Sequence, residues 1–366
     1  MIPNILGQAP PTSIWGDSII AVPWQLYQTY GDKVMLREQY PGAKDWIDKG
    51  VSRNEIGLWN RSTAQFGDWL DPKAPADSPG DATTNKYLVS DAYLIHSTEL
   101  LANISSILSL DSQAANYTHS HATLTHAFQQ TWLSPNGTVA NETQTGLALP
   151  LYFSLFPTLS QSSAAATRLV NIIKSNAYRV GTGFAGTHLL GHTLTKYGAS
   201  STFYQMLLQT DVPSWLYQVR MNGTTTWERW DSMLPNGTIN PGSMTSFNHY
   251  SVGSVGSWIH AVIGGLTPAE PGWREVNVDV IPGGELRNAS TRFLSPYGEI
   301  STKWWLEDYE PGSITCNNTL TDFLFRLTVQ VPPNSYATVR LPGGTGEGKR
   351  VGSGVYEFEV PCLTVN

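Results

Sequence analysis

No apolar run in this chain approaches the about 18 residues that a membrane-spanning helix requires, so a membrane is not an expected partner. Charge is sparse as well. Asp, Glu, Lys and Arg make up 14% of the 366 residues, the formal net charge is −7, and Lys and Arg form no cluster. That excludes the basic footprint with which proteins neutralise nucleic-acid phosphates, and nucleic acid is not expected as a partner either. Only two cysteines occur, Cys316 and Cys362, both in the last fifth of the chain. They are either a disulfide made in an oxidising compartment or a pair of buried thiols. The opening "MIPNILGQAP" lacks the basic, apolar and small-residue regions of a secretory signal.

In excess are aromatic rings and glycosylation sequons. There are 13 Trp and 16 Tyr, and aromatics reach 11%. Indoles pack on the apolar faces of sugars while carboxylates and amides take the hydroxyls, so the surplus fits a carbohydrate cleft; it fits a large helical core equally well. Nine Asn-x-Ser/Thr sequons, at Asn60, Asn103, Asn116, Asn136, Asn141, Asn222, Asn236, Asn288 and Asn317, point to a eukaryotic secretory route and to exposed loops at those sites. Sequons and missing signal disagree. They are reconciled if Met1 is not the start of the whole protein.

The length suits two or three domains at about 100–200 residues each. From Ile14 to Leu266 apolar residues recur at helical spacing between Gly/Pro loops. Nine helices are expected. The first two lie in "WGDSIIAVPWQLYQTYGD" and in "KVMLREQYPGAKDWIDKGV", the latter broken near Pro41–Gly42. The others are Lys86–Leu110, Ala114–Trp132, Leu147–Phe156, Ser162–Ala177, His188–Tyr197, Ser200–Thr210 and Ser246–Ile263. Such a series predicts an array or toroid of helix hairpins with a cleft made by the loops at one end. Two connections, Leu58–Asp81 and Leu216–Ser246, are longer than connections need to be, the usual mark of function. After Gly272 the period changes to two between Gly/Pro turns, which predicts an antiparallel β-sandwich of about 95 residues. The expected domains are 1–268 and 269–366. No internal repeat or low-complexity segment is evident.

Three acid-plus-aromatic groups stand in loops: Trp15 with Asp17, Asp68 with Trp69 and Asp71, and "TTTWERWDS" with Trp227, Glu228, Trp230 and Asp231. Carboxylates on separate loops of one cleft are what glycosidic hydrolysis needs, one to protonate the leaving oxygen and one to activate water or attack. Each group also has a plainer reading. Asp17 is placed as a helix N-cap, and Glu228 beside Arg229 as a buried ion pair. His119, His121 and His126 lack an acidic or cysteine partner at metal-ligand spacing and read as solvated helix residues; His188 and His192, at i and i+4 among glycines, read as core histidines. His249 lies where a polar loop becomes a helix and is a site candidate.

"WGDSIIAVPWQLYQTYGD", "QFGDWLDP", "TTTWERWDS", "SFNHYSVGSVGSWIH" and "PGWREVNVDVIPGG", in that order, resemble the C-terminal part of the catalytic region of the inverting α-L-rhamnosidases, glycoside hydrolase family 78. The resemblance covers nearly the whole chain. It implies a mainly α fold, an incomplete (α/α)6 toroid followed by a C-terminal antiparallel β-sandwich, with an acidic cleft that removes terminal L-rhamnose from rhamnosylated small-molecule glycosides or polysaccharides of plants. Carried over by motif, Glu228 resembles the general base and His249 a sugar-binding histidine. Trp15, Asp17, Asp68, Trp69 and Trp227 fall in motifs that line the pocket, and Trp230 stands behind them. No metal or other cofactor is implied.

The family's general acid belongs to an Arg-Asp-Glu-Arg segment followed by Gly-Trp-x-Gly-Asp, upstream of the "WGD" helix, and neither motif occurs here. The expectation is a chain that starts inside the barrel of a longer, secreted protein. The rival reading is a catalytically inactive carbohydrate-binding fragment; another (α/α)-barrel glycosidase or a lyase is the third.

Overall fold

The computed structural model describes residues 10–307, 313–316, 323–344 and 346–365; the sequon at Asn317 lies outside them. Two compact units emerge, one of residues 1–24 and 33–254, the other of residues 25–32 and 255–366.

The helical unit is built mainly from helix hairpins. α1 spans Ser18–Tyr30, its residues from 25 onward counted with the second unit, and α2 Lys33–Asp45; then come α3 (Lys86–Ile107) with α4 (Asp111–Trp132), α5 (Gln144–Tyr152) with α6 (Leu159–Ser175), and α7 (Phe184–Lys196) with α8 (Ser200–Leu207). α3, α5 and α7 are buried around most of their circumference and pack side by side, α3 on α5 and α5 on α7. α4 and α6 bury one stripe each and form an outer layer. Polar side chains inside α3 are satisfied locally: Thr98 Oγ1 donates to the Leu94 carbonyl and Ser105 Oγ to that of Leu101, each at 2.7 Å. Side-chain caps open several helices, with Asn85 accepting from the Tyr87 amide, Thr143 from Gly146 and Thr158 from Gln161.

Three expectations are corrected. α2 does not break at Pro41; it runs to Asp45, and the ladder changes only in a wide turn at Trp46–Gly50, where the Val51 amide reaches the Trp46 carbonyl at 3.1 Å. The expected helix from Ser246 starts later and is broken into a 3₁₀ turn (Ser251–Ser254), one α-turn and a wide turn (Ile259–Ile263). Residues 246–249 hydrogen-bond instead to an extended neighbouring segment, and the Gly-Ser run "SVGSVGS" has little helix propensity. α9 (Trp215–Arg220), capped by Ser214, begins just ahead of the long loop and extends into it.

The structure also contains a repeat. Tight hairpins at 54–58, 134–138 and 234–238 share one hydrogen-bond pattern, with the amide of the first residue bonded to the carbonyl of the last at 2.8–2.9 Å. Each turn closes on a glycine with positive φ, Gly57 (85°), Gly137 (80°) and Gly237 (82°). Single bridges flank them: Arg53 with Trp59, Leu133 with Val139, and Met233 with Ile239. Only the glycine is common to "NEIG", "SPNG" and "LPNG", because only that position needs the left-handed backbone.

The second unit carries two sheets. One holds β1 (Leu266–Pro268), β2 (Glu275–Asp279), β7 (Tyr336–Arg340) and β8 (Lys349–Val351) in that order. The other runs β3 (Asn288–Ser295), β4 (Gly298–Glu307), β6 (Phe323–Val331), β9 (Gly354–Val365) and β5 (Ser313–Cys316). Pairing is antiparallel except between β2 and β7, which are parallel, the chain passing through the other sheet between them. Val276, Val278, Ile300, Trp304, Phe325, Leu327, Val329 and Val339 form the apolar core. Cys316 and Cys362 face each other in the β5–β9 register and are disulfide-bonded, which resolves the two readings of that pair.

Candidate active site

Four stretches of the helical unit build the candidate site: 10–17, 58–81, 180–184 and 221–250. In the first, "WGD" is shaped by one indole. Trp46 Nε1 donates to Asp17 Oδ1 at 2.8 Å, and the Ile14 amide donates to Oδ2 at 2.7 Å. A Cβ on Gly16 would lie 2.1 Å from the Trp46 ring, so glycine is required for the indole to approach. Asp17 is buried, and burial raises its carboxyl above the usual range against the bonds from Ile14, Trp46 and Ser97. Its carboxylate therefore ties the start of α1 to the wide turn, rather than capping the first-turn amides of α1 as an N-cap would.

Asp68 is fully enclosed. Thr145 Oγ1 and the Gly183 amide donate to Oδ2, the Ala185 and Gly186 amides to Oδ1, all at 3.1 Å or less. Three of these donors are amides at the start of α7, so Asp68 caps that helix from a distant loop and sits at the positive end of its dipole. Burial pushes the carboxyl up to about 6, with the Thr145 bond foremost among the influences pulling it down. The adjacent Trp69 carbonyl receives the Phe184 amide at 2.8 Å. A Cβ on Gly183 would lie 2.3 Å from the Asp68 carbonyl oxygen, which explains the glycine. Trp15, Phe66 and Trp69 form an edge-to-face cluster, with centroids 4.9 Å apart for Trp15–Phe66 and 5.2 Å for Phe66–Trp69, and both indoles are partly exposed.

In "TWERWD" Trp227, Arg229 and Trp230 are buried, and Thr226, Glu228 and Asp231 are partly exposed. Trp227 is 1% exposed and packs edge-on against Tyr217 and Phe247; Trp230 is also buried and donates Nε1 to the Thr182 carbonyl at 3.1 Å. Both indoles are props behind the loop. Arg229, also buried, reaches the carbonyls of Ala76 and Ser243 at 3.1 Å and pairs with Asp231 at 3.2 Å, so the plainer reading of Glu228 as its ion-pair partner fails. The Ala76 bond straps the two long loops together. Glu228, half-buried between them, lies on a ledge: its amide donates to the Ser246 carbonyl at 2.9 Å, and its Oε2 accepts the Ser246 amide at 3.2 Å.

One step along the same ledge the His249 amide donates to the Thr226 carbonyl at 2.9 Å. The His249 ring is sandwiched between Phe184 (5.1 Å, 26°) and Tyr250 (5.0 Å, 11°), and Tyr250 is 87% exposed. His249 Nδ1 accepts the Ser251 amide at 3.2 Å, which leaves the proton on Nε2. The structure thus brings Glu228, His249 and, through Phe184, Trp69 to one cluster of loops. It leaves Glu228, His249, Trp15 and Trp69 partly exposed and encloses Asp17, Asp68 and Trp227. A groove of about 620 Å³ elsewhere on the unit, lined by Asp48, Arg53, Tyr117 and His119, holds none of these residues.

Sequence reasoning missed Trp46, Thr145, Phe184 and Tyr250. Only Phe184 carried a local signal, the glycine-flanked "GFAG" at a helix start. His188 faces the Tyr93 hydroxyl at 3.3 Å, and burial lowers its ring to about 4, although the residue keeps partial exposure. His119 and His126 are exposed.

Comparison with known proteins bears on the family of the chain. Residues 1–263 match the bacterial α-L-rhamnosidase six-hairpin glycosidase domain, and residues 265–355 the bacterial α-L-rhamnosidase C-terminal domain. An α-L-rhamnosidase of Streptomyces avermitilis is 37% identical over 328 residues, 90% of this chain and 29% of that protein. One from Formosa agariphila is 31% identical over 96% of this chain and 36% of its own length. The chain therefore spans about a third of the length of these curated relatives. Among solved structures, native α-L-rhamnosidase from Aspergillus terreus is 69% identical, superposes with a TM-score of 0.93, and covers 98% of this chain with 40% of its own. The S. avermitilis enzyme complexed with L-rhamnose gives 0.83 at 34% identity, over 96% of this chain and 33% of that one. With both domain models matched in order along its length, the chain belongs to the α-L-rhamnosidase six-hairpin glycosidase family.

Proposed function

We propose that the whole protein is an inverting α-L-rhamnosidase that removes terminal L-rhamnose from plant glycosides or polysaccharides, with Glu228 as the base that deprotonates the attacking water. The observation that carries this reading is the ledge. Ser246 fixes Glu228 Oε2, while Oε1 has no protein donor among the described residues and is available to a water. His249 is one step away with Nε2–H free to meet a hydroxyl, and the Phe184–His249–Tyr250 stack offers an apolar face for the sugar ring.

Inversion needs a second carboxyl about 6.5–9.5 Å away to protonate the leaving oxygen while water attacks the anomeric carbon from the opposite face. A raised pKa suits an acid, and Asp17 and Asp68 both have one; yet both are enclosed, and Asp68 is held by four donors. We assign proton donation to the part of the whole protein outside these 366 residues. For the chain alone, the same geometry favours a second reading, sugar binding without turnover. We also propose that the whole protein is secreted, supported by the nine sequons and the Cys316–Cys362 disulfide.

The test is Glu228→Gln in the whole protein. Turnover of an aryl α-L-rhamnoside is expected to fall about 10²–10⁴-fold with the melting temperature unchanged. Near-normal turnover would move the base elsewhere, and inverting turnover by the 366-residue chain alone would refute the external donor.

A further inference from the structure

The outward face of the five-stranded sheet bears a tryptophan that the core does not use. Along β4, Ile300, Thr302, Trp304 and Leu306 point inward; Trp304 is fully buried and donates to the Ile263 carbonyl at 2.8 Å. Trp305 therefore points outward, half-exposed, in a row of polar residues. Lys303 Nζ lies 5.9 Å from its ring centroid. Arg326, its register partner on β6, is held by Glu307 and Glu359 at 2.7 Å each. On the other side its register partner is Asn288, exposed on β3, which ends the sheet. Directly opposed residues share a face with Cβ atoms about 4.5–5.5 Å apart. Asn288 also opens the sequon Asn288-Ala289-Ser290.

Four sequons outside helices and strands use their asparagine differently. Asn136 and Asn236 accept the amides and hydroxyls of Thr138 and Thr238, Asn60 accepts from Ser62, and Asn141 from the Asn85 amide. Among the described residues the Asn288 side chain has no such bond, and it emerges beside an indole.

We propose that Asn288 carries an N-linked glycan whose first N-acetylglucosamine packs its apolar face on Trp305. The proposal rests on the secretory part of the function proposed above. In the modification the C1–phosphate bond of a lipid-diphosphate-linked oligosaccharide breaks and a bond from C1 to Asn288 Nδ2 forms; Nδ2 releases a proton and the lipid diphosphate leaves. The glycan has a structural consequence as well. Among the described residues no strand pairs with the outer edge of β3, and a bulky hydrophilic group there blocks pairing with a second chain.

The experiment expresses the whole protein through a yeast secretory host, measures occupancy of the Asn288 glycopeptide by mass spectrometry, and trims glycans to one N-acetylglucosamine before melting. Occupancy is expected. Asn288→Gln, and independently Ser290→Ala, should lower the melting temperature by about 2–4 °C, and by less than about 1 °C in a Trp305→Ala background. An occupied site whose loss costs the same in both backgrounds overturns the Trp305 contact. An unmodified Asn288 overturns the proposal: if Asn136 and Asn236 are occupied, secretion stands and the site fails, whereas if every sequon is bare the secretory reading fails with it.

Discussion

Thr145→Val tests the lock at the start of α7 with the smallest change that removes one of its bonds. Valine keeps the shape of threonine and deletes the hydroxyl that donates to Asp68 Oδ2, in a position with no exposure. The other three donors, the amides of Gly183, Ala185 and Gly186, stay in place. A hydrogen bond to an ionised group contributes about 1.5–3 kcal/mol, against about 0.5–1.5 for a neutral pair. The loss must therefore depend on whether Asp68 is charged. Burial lifts its carboxyl from an ordinary 3.8 to about 6, so the folded state holds the proton more tightly than the unfolded chain. The stability this group contributes is fully present below the unfolded value and is lost as the pH rises through about 6. Thr145 opposes that rise, and the variant's carboxyl should go higher still. At about pH 8 the variant is expected to be less stable by about 1.5–3 kcal/mol, roughly 3–12 °C in melting temperature for a unit of this size. At about pH 4.5 the difference should shrink to that of a neutral bond. Calorimetry at the two pH values, with hydrogen exchange of the α7 first-turn amides, measures both. A difference that is the same at both pH values, or below about 0.5 kcal/mol at the higher one, would refute the lock.

Two further outcomes follow from the same geometry. Tyr250→Ala, at a residue 87% exposed, should leave folding and kcat of the whole protein intact while raising KM for rhamnosides about 2–12-fold, the equivalent of one aromatic contact of about 0.5–1.5 kcal/mol; an unchanged KM would remove Tyr250 from the site. Replacing Cys316 and Cys362 together by serine opens a link between residues 46 apart in sequence, for which loop entropy gives about 4 kcal/mol; melts of the pair variant matching those of the oxidised protein would show that the link constrains nothing.

Periodicity made the helices and most strands legible, because burial of one face imposes 3.6- and 2-residue spacing on the sequence itself. Asp68 shows where that ends. Its partners lie 77 to 118 residues away, and no local pattern distinguishes a carboxylate that caps a remote helix from one that meets a sugar. The same ambiguity hid the orientation of "TWERWD". Neither a period of two nor one of 3.6 describes it, since Trp227, Arg229 and Trp230 are all buried around a partly exposed Glu228, held by Tyr217, Phe247, Ala76 and Thr182, which reach the segment from elsewhere. The disulfide was open for a like reason, since its two residues meet only through the β5–β9 register.

The three tight hairpins are a geometric repeat that leaves almost no trace in sequence. At 54–58 and 134–138 the turn follows closely on helical structure, the wide turn ending at Gly50 and α4 ending at Trp132. All three carry the same second rung, Asn60 to Ser52, Ala140 to Trp132 and Asn240 to Ser232; the third instead interrupts a long loop, and beyond that rung its arms meet again with the register shifted, where Glu228 bonds Ser246 and His249 bonds Thr226. The ledge that presents Glu228 and His249 is thus the lengthened base of a hairpin used twice elsewhere only as a connector. Its tip demands one glycine, Gly237, and its base demands backbone pairing that any residue supplies. Side chains on the base are therefore free to serve chemistry, with Trp227 and Trp230 anchoring it from behind. On the function proposed above, the paired indoles mark the loop that must be rigid, and the acid between them is the residue that rigidity serves.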